Sequence, residues 1–272
     1  MTGVRYVRWR HDGWHGVLDL EAGVAPGALV AVAETTAADE AGRRSRHAWT
    51  RALADGRDPL WLKVYPPPDG HRAWRAWRMG AALAASGFAS PEGILVARRG
   101  RAGVLVTRDA GGQPLLAAVA TTVGSSKREL LHALGRAVGG LHAAGFVHGD
   151  LVPSNVIVRD GELVLLDHDR TRRGRILVWW GARRNLVQLG RFVVPGLRAA
   201  DRMRVLCAYA DRRGLSRRSR RRLARWVAAK TIARRVAIDR IAEPDAARAG
   251  YAAVMRSGGP YDPSVARRAE QR

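Results

Sequence analysis

The stretch Leu141–Arg170, LHAAGFVHGDLVPSNVIVRDGELVLLDHDR, decides the fold of this chain. Its first residues continue a helical pattern that is predicted to end at Gly145, because glycine is typical just after a helix. A short loop then presents His148, Gly149 and Asp150. A carboxylate on such a loop can orient a substrate hydroxyl and accept its proton.

Two short apolar strands follow this loop, Val156–Val158 and Leu163–Leu166, and the Asp-Gly pair between them predicts a hairpin. Asn155 stands at the start of the first strand and Asp167 at the end of the second. We expect a hairpin of this length to bring the two oxygen-bearing side chains close together. Such oxygens can bind Mg²⁺, which keeps several waters and bridges substrate phosphates.

The first third of the chain is predicted to contain strands and one helix. Period-two alternation and short apolar runs indicate these strands: Val4–Trp9, Ala28–Ala33, Leu60–Tyr65, Ile94–Ala97 and Val104–Thr107. Residues 36–58 are polar and are predicted to form a loop or a short helix. Residues 71–86 have apolar positions at helical spacing and are predicted to be a helix.

The rest of the chain, after the Gly-Gly joint at 111–112, is predicted to be mostly helical. Ser126 and Glu129 fit a capping box before a helix with an apolar stripe. Further helices are predicted at 185–194, 199–212 and 217–242. We therefore predict an α+β fold with two lobes. A single domain over residues 1–272 would have a small β-rich N lobe at 1–110 and a helical C lobe at 111–272.

Composition narrows the class of protein. Lys and Arg number 47 against 24 Asp and Glu, a formal charge of +23, which favours polyanionic partners. A single cysteine, Cys207, rules out a disulfide within the chain and fits a reducing, cytoplasmic setting. We find neither a signal-peptide core nor an apolar run of transmembrane length. The histidines show no zinc-ligand spacing.

The segment from His148 to Asp167 resembles the catalytic loop and the metal-binding motif of the protein-kinase-like superfamily. The motifs here are H-G-D-x-x-x-x-N, from His148, and D-H-D-R, from Asp167. The second is similar to the D-x-D-R motif of the lipopolysaccharide kinase family, which includes Kdo and heptose kinases. The resemblance implies that Asp150 is the catalytic base, that Asn155 and Asp167 bind Mg²⁺, and that His148 braces the loop.

The resemblance covers about residues 60–213. Lys63 lies in a strand similar to that family's phosphate-binding lysine strand, which implies that Lys63 binds ATP. One position departs from the family: Ala76 precedes Trp77 where family members tend to carry the glutamate that pairs with the lysine. Asp69 and Glu92 are the substitute acids that the sequence offers, because no acid occurs between His71 and Pro91.

The resemblance implies an ATP-dependent kinase that phosphorylates a sugar hydroxyl of a lipopolysaccharide core or a related glycolipid. Such an enzyme would work in the cytoplasm, peripherally on the inner membrane. Two alternatives stay open from the sequence. The missing glutamate is compatible with a pseudokinase that binds nucleotide or a partner without transfer, and the motifs also fit a protein or small-molecule kinase.

The arginine-rich stretch from Arg217 to Arg225 has two interpretations. Apolar residues at helical spacing predict a helix that packs on the C lobe, and its arginines then form a charged face. That face is either a solvated surface or a landing surface for an anionic membrane. No nucleic-acid recognition motif accompanies it, so a nucleic-acid partner is not expected.

Overall fold

A computed structural model describes residues 5–38, 43–53, 59–192, 194, 196–239 and 244–259. The chain divides into two compact units. The N-terminal unit is Met1–Gly111 together with Val164–Thr171, and the C-terminal unit is Gly112–Leu163 together with Arg172–Arg272.

An antiparallel sheet of seven strands forms the N-terminal unit, in the order β1-β2-β6-β7-β5-β4-β3. The strands are β1 (Tyr6–His11), β2 (Trp14–Asp19), β3 (Arg43–Arg44), β4 (Trp49–Leu53), β5 (Leu60–Tyr65), β6 (Gly93–Arg99) and β7 (Ala102–Arg108). Side chains alternate between the two faces of such strands. In β5, Leu62 and Val64 therefore face one side, and Lys63 and Tyr65 face the other.

Each face of this sheet is covered by one helix. Helix α1 (Pro26–Ala38) buries Leu29, Val30 and Ala33 in the same apolar cluster as Leu62. Helix α2 (His71–Ala84) packs on the opposite face, in a cluster that contains Tyr65. The sheet thus places Lys63 on the side of α2.

The predicted strand at Ala28–Ala33 is wrong, because these residues lie inside α1. Its start at Pro26 suits a proline, whose fixed φ angle and missing N–H are tolerated in the first helical turn. The apolar run was too short for its periodicity to separate a buried helix from a strand.

Helices dominate the C-terminal unit. They are α3 (Leu115–Thr121), α4 (Gly124–Ala143), α5 (Arg175–Gly190), α6 (Ala199–Arg212), α7 (Arg217–Asp239) and α8 (Pro244–Ser257). Short strands accompany them: β8 (Gln113–Pro114), β9 (Phe146–Val147), β10 (Val156–Arg159), β11 (Glu162–Leu165) and β12 (Arg172–Arg173). Strand β11 leads out of this unit into the N-terminal one.

Helices α4 and α6 approach each other closely at two glycines. A Cβ atom on Gly135 would lie 2.2 Å from the carbonyl oxygen of Val205, and one on Gly139 would lie 3.0 Å from that of Tyr209. The absence of these side chains lets the two backbones pack directly together. This contact fixes the end of α4, from which the loop carrying Asp150 emerges.

Two details of the predicted helices differ from the structure. Ser126 and Glu129 form no capping box, because α4 already begins at Gly124 after the N-cap residue Val123, whose side chain makes no cap hydrogen bond. Helix α5 begins at Arg175, ten residues before the predicted start at 185. The bounds of α6 are as predicted.

The predicted α+β class is confirmed, with the antiparallel sheet in the N-terminal unit and the long helices in the C-terminal unit. None of the helices in the described ranges combines the length and the apolar character that crossing a bilayer requires. The interpretation of residues 1–272 as one domain stays a prediction.

Candidate active site

The loop between β9 and β10 carries Asp150 and brings it to Asn155. The side chain of His148 is fully buried, and its Nδ1 accepts a hydrogen bond from the Asp150 amide at 3.2 Å. The side-chain amide of Asn155 donates to the carbonyl oxygen of Asp150 at 2.9 Å. This bond uses the nitrogen of the Asn155 amide, so its oxygen is the end that can act as a metal ligand.

A buried polar network under the loop fixes the Asp150 carboxylate. Asn185 of α5 accepts the His148 amide hydrogen at 3.1 Å and donates to the His148 carbonyl oxygen at 2.5 Å. Asn185 also donates to Gln188 Oε1 at 3.0 Å. Gln188 Nε2 in turn donates to Asp150 Oδ1 at 3.0 Å. The Oδ1 atom of the Asp150 carboxylate is thereby oriented.

Gln188 is a site residue that the sequence reasoning missed. The signal was present, because Asn185 and Gln188 are three residues apart and so share one helical face. Buried amides on such a face need hydrogen-bond partners.

Lys63 meets Asp167 in the N-terminal unit. Its Nζ donates to Asp167 Oδ1 at 2.5 Å and lies 3.7 Å from Asp169 Oδ2. The ammonium group also lies 5.2 Å from the centre of the Tyr65 ring. The aspartates of the D-H-D-R motif therefore provide the negative charge that holds this lysine.

Helix α2 reaches the lysine through Asp169 rather than through a glutamate of its own. Arg72 Nη1 lies 3.9 Å from Asp169 Oδ2. Ala76, at the position of the expected glutamate, is buried against the sheet. Burial raises the pKa of the Asp169 carboxyl, while the positive charge of Lys63 opposes that shift. Helix α2 thus contributes the cation Arg72 instead of a glutamate, and the Asp169 carboxylate lies between Arg72 and Lys63.

The two substitute acids proposed from the sequence do not hold Lys63. Asp69 accepts a hydrogen bond from Arg72 Nε at 2.8 Å, and this bond lowers the pKa of its carboxyl. Glu92 is paired with Arg108 at 3.0 Å. Both acids are therefore engaged with arginines, and no local pattern marks Asp169 as the replacement.

Asp167 has an unusual backbone conformation. Its φ angle is 58°, in the left-handed region that a residue with a side chain rarely adopts. The flanking chain is held in place, because Leu165 N–H donates to the Ala89 carbonyl at 3.0 Å and His168 Nε2 lies 2.9 Å from Ser90 Oγ. Strain that is maintained by its surroundings is typical of functional positions.

Two side chains, one in each unit, carry oxygens of the kind that binds a magnesium nucleotide. The carboxylate of Asp167 and the amide oxygen of Asn155 are hard ligands, and Mg²⁺ needs only one or two of them beside substrate phosphates. Lys63 supplies a positive charge beside Asp167. Within the described ranges, no group of three or more His, Cys, Asp or Glu forms a metal cluster. Asn155 and Asp167 belong to different units, and their proximity remains a prediction.

The buried His142, which contacts Asn185 of the polar network, should make the stability of the folded protein depend on pH. It lies between Tyr209 Oη at 3.1 Å and Asn185 Oδ1 at 3.0 Å, and burial lowers its pKa from 6.5 to about 4. As pH falls below 6.5, the unfolded chain takes up a proton that the folded chain excludes. The free energy of unfolding should therefore fall, by up to about 1.4 kcal/mol per pH unit, until pH approaches the folded value.

Urea denaturation at pH 7.5 and pH 5 would measure this effect. The variant His142→Gln should show a smaller loss of stability over that interval than the wild type does. Exposed His132 lies on the same helix, and His132→Gln is the matched control that should leave the loss unchanged. An equal pH dependence in the wild type and in His142→Gln would contradict the assignment.

This chain is similar in sequence and in fold to known kinases and phosphotransferases. The family model of the lipopolysaccharide kinase (Kdo/WaaP) family matches residues 65–209, which is more than half of the chain. The chain is also similar to a solved aminoglycoside-3'-phosphotransferase of type VIII, with a TM-score of 0.48 and 16% identity over 73% of this chain and 99% of that one. A likeness at that level does not indicate a shared activity.

Curated relatives match over short segments only. A probable bifunctional tRNA threonylcarbamoyladenosine biosynthesis protein of Methanothermobacter thermautotrophicus is 43% identical over 65 residues, or 24% of this chain and 11% of that protein. The EKC/KEOPS complex subunit bud32 of Aspergillus clavatus is 62% identical over 32 residues, 12% of each chain. The KEOPS complex subunit Bud32 of Pyrococcus abyssi is 53% identical over 34 residues, 12% of this chain and 16% of its own.

The matched segments are thus small parts of those relatives. The activities of the whole relatives therefore cannot be assigned to this chain. The family match is longer: it runs from Tyr65, the last residue of β5, through the Asp150 loop and the D-H-D-R motif into α6, and Lys63 lies just before it. It confirms the resemblance stated from the sequence. This chain belongs to the lipopolysaccharide kinase (Kdo/WaaP) family and is a kinase.

Proposed function

We propose that this kinase transfers the γ-phosphoryl group of ATP to a sugar hydroxyl of a lipopolysaccharide core or a related glycolipid, at the surface of a membrane. Family membership supports the phosphotransferase. One observation supports an acceptor that is part of a membrane: helix α5, which orients Asp150, also exposes a large apolar and basic surface.

The α5 surface consists of Ile176, Leu177, Trp179 and Trp180, which are exposed to 78%, 39%, 72% and 72%. Four large apolar side chains within five consecutive positions are rarely left in water without a binding role. The two indole rings pack edge to face, with their centres 4.6 Å apart. Tryptophan is enriched where proteins enter the interface between lipid and water.

Exposed arginines surround the α5 surface. They are Arg172, Arg173, Arg175, Arg183 and Arg184. Each basic residue near an anionic lipid surface contributes about 1 kcal/mol of attraction. Apolar rings flanked by arginines are the combination by which helices bind in the plane of an anionic membrane. The arginines of α7 add to the positive charge of this unit.

The same helix connects this surface to the catalytic loop. Gln188, which donates to Asp150, is eight residues beyond Trp180 on α5. At 1.5 Å per residue, the distance along the helix is about 12 Å. A glycolipid head group at the α5 surface would therefore be within reach of the Asp150 carboxylate. A soluble acceptor would not require an apolar surface so close to that carboxylate.

The residues then have separate roles in transfer. Asp150 would accept the proton of the acceptor hydroxyl while its oxygen forms a bond to the γ-phosphorus and the bond to ADP breaks. Lys63, Asn155 and Asp167 would hold magnesium ATP, which would supply the phosphoryl group, and the positive charges of Mg²⁺ and Lys63 would neutralise the charge that develops on it. The Lys63–Asp167 ion pair, at 2.5 Å, supports an active kinase over a pseudokinase.

Phosphate transfer from labelled ATP tests the acceptor. The purified protein is incubated with lipopolysaccharide from its source, with a protein extract freed of lipid, and with an aminoglycoside. We expect label on the lipopolysaccharide. Label on proteins alone would replace the glycolipid by a protein acceptor, and label on the aminoglycoside alone would indicate a small-molecule kinase.

The α5 surface gives a separate prediction on membrane binding. The variant Trp179→Ser/Trp180→Ser should lower partitioning onto phosphatidylglycerol vesicles by at least about tenfold, because two indole rings are lost from the interface. Vesicle co-sedimentation measures this. The variant Met203→Ser/Ile238→Ser removes two other exposed apolar side chains of the same unit and should bind like the wild type. Equal losses in both variants would contradict the assignment.

A further inference from the structure

We infer that the N-terminal unit carries a second anion-binding site, a basic cavity that takes a small, multiply phosphorylated sugar. The cavity has a volume of about 1020 Å³ and lies between β1, β2, the β6–β7 turn and the start of α2. Its lining includes five arginines and an indole ring: Arg8, Arg10, Arg78, Arg98, Arg101 and Trp74. Among the residues that the structure describes, no acid lines it.

Strand register places part of this charge in a row. Arg10 of β1 lies opposite His15 of β2, and His15 lies opposite Arg98 of β6. Neighbouring strands are about 4.8 Å apart, so three nitrogen-bearing side chains stand side by side on one face of the sheet. Arg98 Nε donates to His15 Nε2 at 2.6 Å, which aligns the imidazole between the two guanidinium groups.

These arginines differ from others in the same unit. Arg5, Arg99 and Arg108 each pair with a carboxylate. In the described part of the chain, the five arginines of the basic cavity make no ion pair with an acid. Basic side chains placed beside one another without acids repel, so their arrangement costs stability. A bound anion would remove that cost.

Close backbone packing fixes two of the elements that line the cavity. The amide of Gly70, just before α2, donates to the Arg101 carbonyl oxygen at 2.9 Å. A Cβ atom on Gly70 would lie 2.4 Å from that same oxygen, and one on Gly103 would lie 2.3 Å from the Gly70 carbonyl. The start of α2 is therefore fixed against the β6–β7 turn.

The shape and chemistry of the basic cavity indicate the ligand. A concave site of this volume favours a small molecule over an extended polymer. Guanidinium groups bind phosphate in a bidentate manner, and five of them can serve more than one phosphate. The Trp74 ring offers an apolar wall for the face of a sugar. Lys63, Asp167 and Asp169 are not among its lining residues, so this site is separate from the nucleotide site proposed above.

Calorimetric titration with fructose bisphosphate tests the inference. The wild type should bind it saturably, and Arg10→Ser/Arg98→Ser should weaken binding by about tenfold or more, because two charge-assisted contacts are lost. Arg78 and Arg101 line the cavity from other elements, and Arg78→Ser/Arg101→Ser should weaken binding to the same extent. This second variant guards against a local folding defect in the first. The control Arg217→Ser/Arg218→Ser removes the same charge from exposed positions on α7 and should bind normally.

Lys63→Met should leave this binding intact, which separates the basic cavity from the nucleotide site and from the proposed reaction. The ligand could be a glycolipid head group or a free sugar phosphate. Binding to phosphatidylcholine vesicles that carry lipopolysaccharide distinguishes the two, because the cavity variants should lose vesicle binding only if the ligand is the head group. Absence of saturable binding, or equal losses in the cavity variants and the α7 control, would overturn the inference. Cavity-dependent binding of single-stranded RNA in place of the sugar would also overturn it.

Discussion

Asp150→Asn should lower the rate of phosphoryl transfer by about 10²–10⁴, the range that general-base catalysis contributes. The amide keeps the shape of the carboxylate, and its oxygen can still accept the bond from Gln188 that the structure shows at 3.0 Å. The variant cannot accept the proton of the acceptor hydroxyl. Single-turnover transfer from labelled ATP measures the loss, and calorimetry should show that ATP binding is retained.

The hairpin after the loop offers a matched control for this substitution. Asp160 is exposed in the turn and has a φ angle of 49°, which asparagine tolerates well. Asp160→Asn therefore makes the same chemical change nearby and should leave the rate unchanged. If Asp150→Asn retained the wild-type rate, Asp150 would not be the base, and the roles proposed for the loop would have to be abandoned.

Lys63→Met should reduce kcat/KM for ATP by about 10²–10³, as expected when one preorganised charge is removed from the site of charge development. Methionine keeps a long apolar side chain in β5 but leaves Asp167 and Asp169 without the ammonium group that lies 2.5 Å and 3.7 Å from them. Steady-state kinetics at several ATP concentrations would give the values. Exposed Lys230 on α7 provides the control, and Lys230→Met should have no effect.

The link from α2 to this lysine can be tested separately. If Asp169 transmits the position of Arg72 to Lys63, then Asp169→Asn should also lower kcat/KM, by a smaller factor than Lys63→Met. Arg72→Met should change it in the same direction. Unchanged kinetics in both variants would mean that the lysine is positioned without α2, and that the contact at 3.9 Å between Arg72 and Asp169 is only structural.

The sequence predicted the local structure of the candidate catalytic segment better than that of the chain around it. Spacing alone placed Asp150 on a loop and Asn155 before a strand, because short apolar strands around an Asp-Gly turn have few alternative structures. The partner of Lys63 was not predictable in the same way. Asp169 follows Lys63 by more than one hundred positions, and only tertiary packing brings the two together.

The missed start of α5 has a physical cause. Helix prediction relies on an apolar stripe that is buried, but Ile176, Trp179 and Trp180 lie on the exposed side. Together with Leu177 and buried Val178 they make residues 176–180 an unbroken apolar run, in which no single helical stripe stands out. Local rules tend to fail at sites with a function, and this failure coincides with the surface that we propose for membrane binding.

The short segment Val164–Thr171 has a consequence for dissecting this enzyme. It belongs to the N-terminal unit although more than fifty residues separate it from the rest of that unit in the chain. An expression fragment that stops at Gly111 would therefore lack both acids that hold Lys63, and would leave the bond from Leu165 to Ala89 unmade. The complementary fragment would carry those acids away from their lysine, so cutting at the Gly-Gly joint would divide the nucleotide site that we propose.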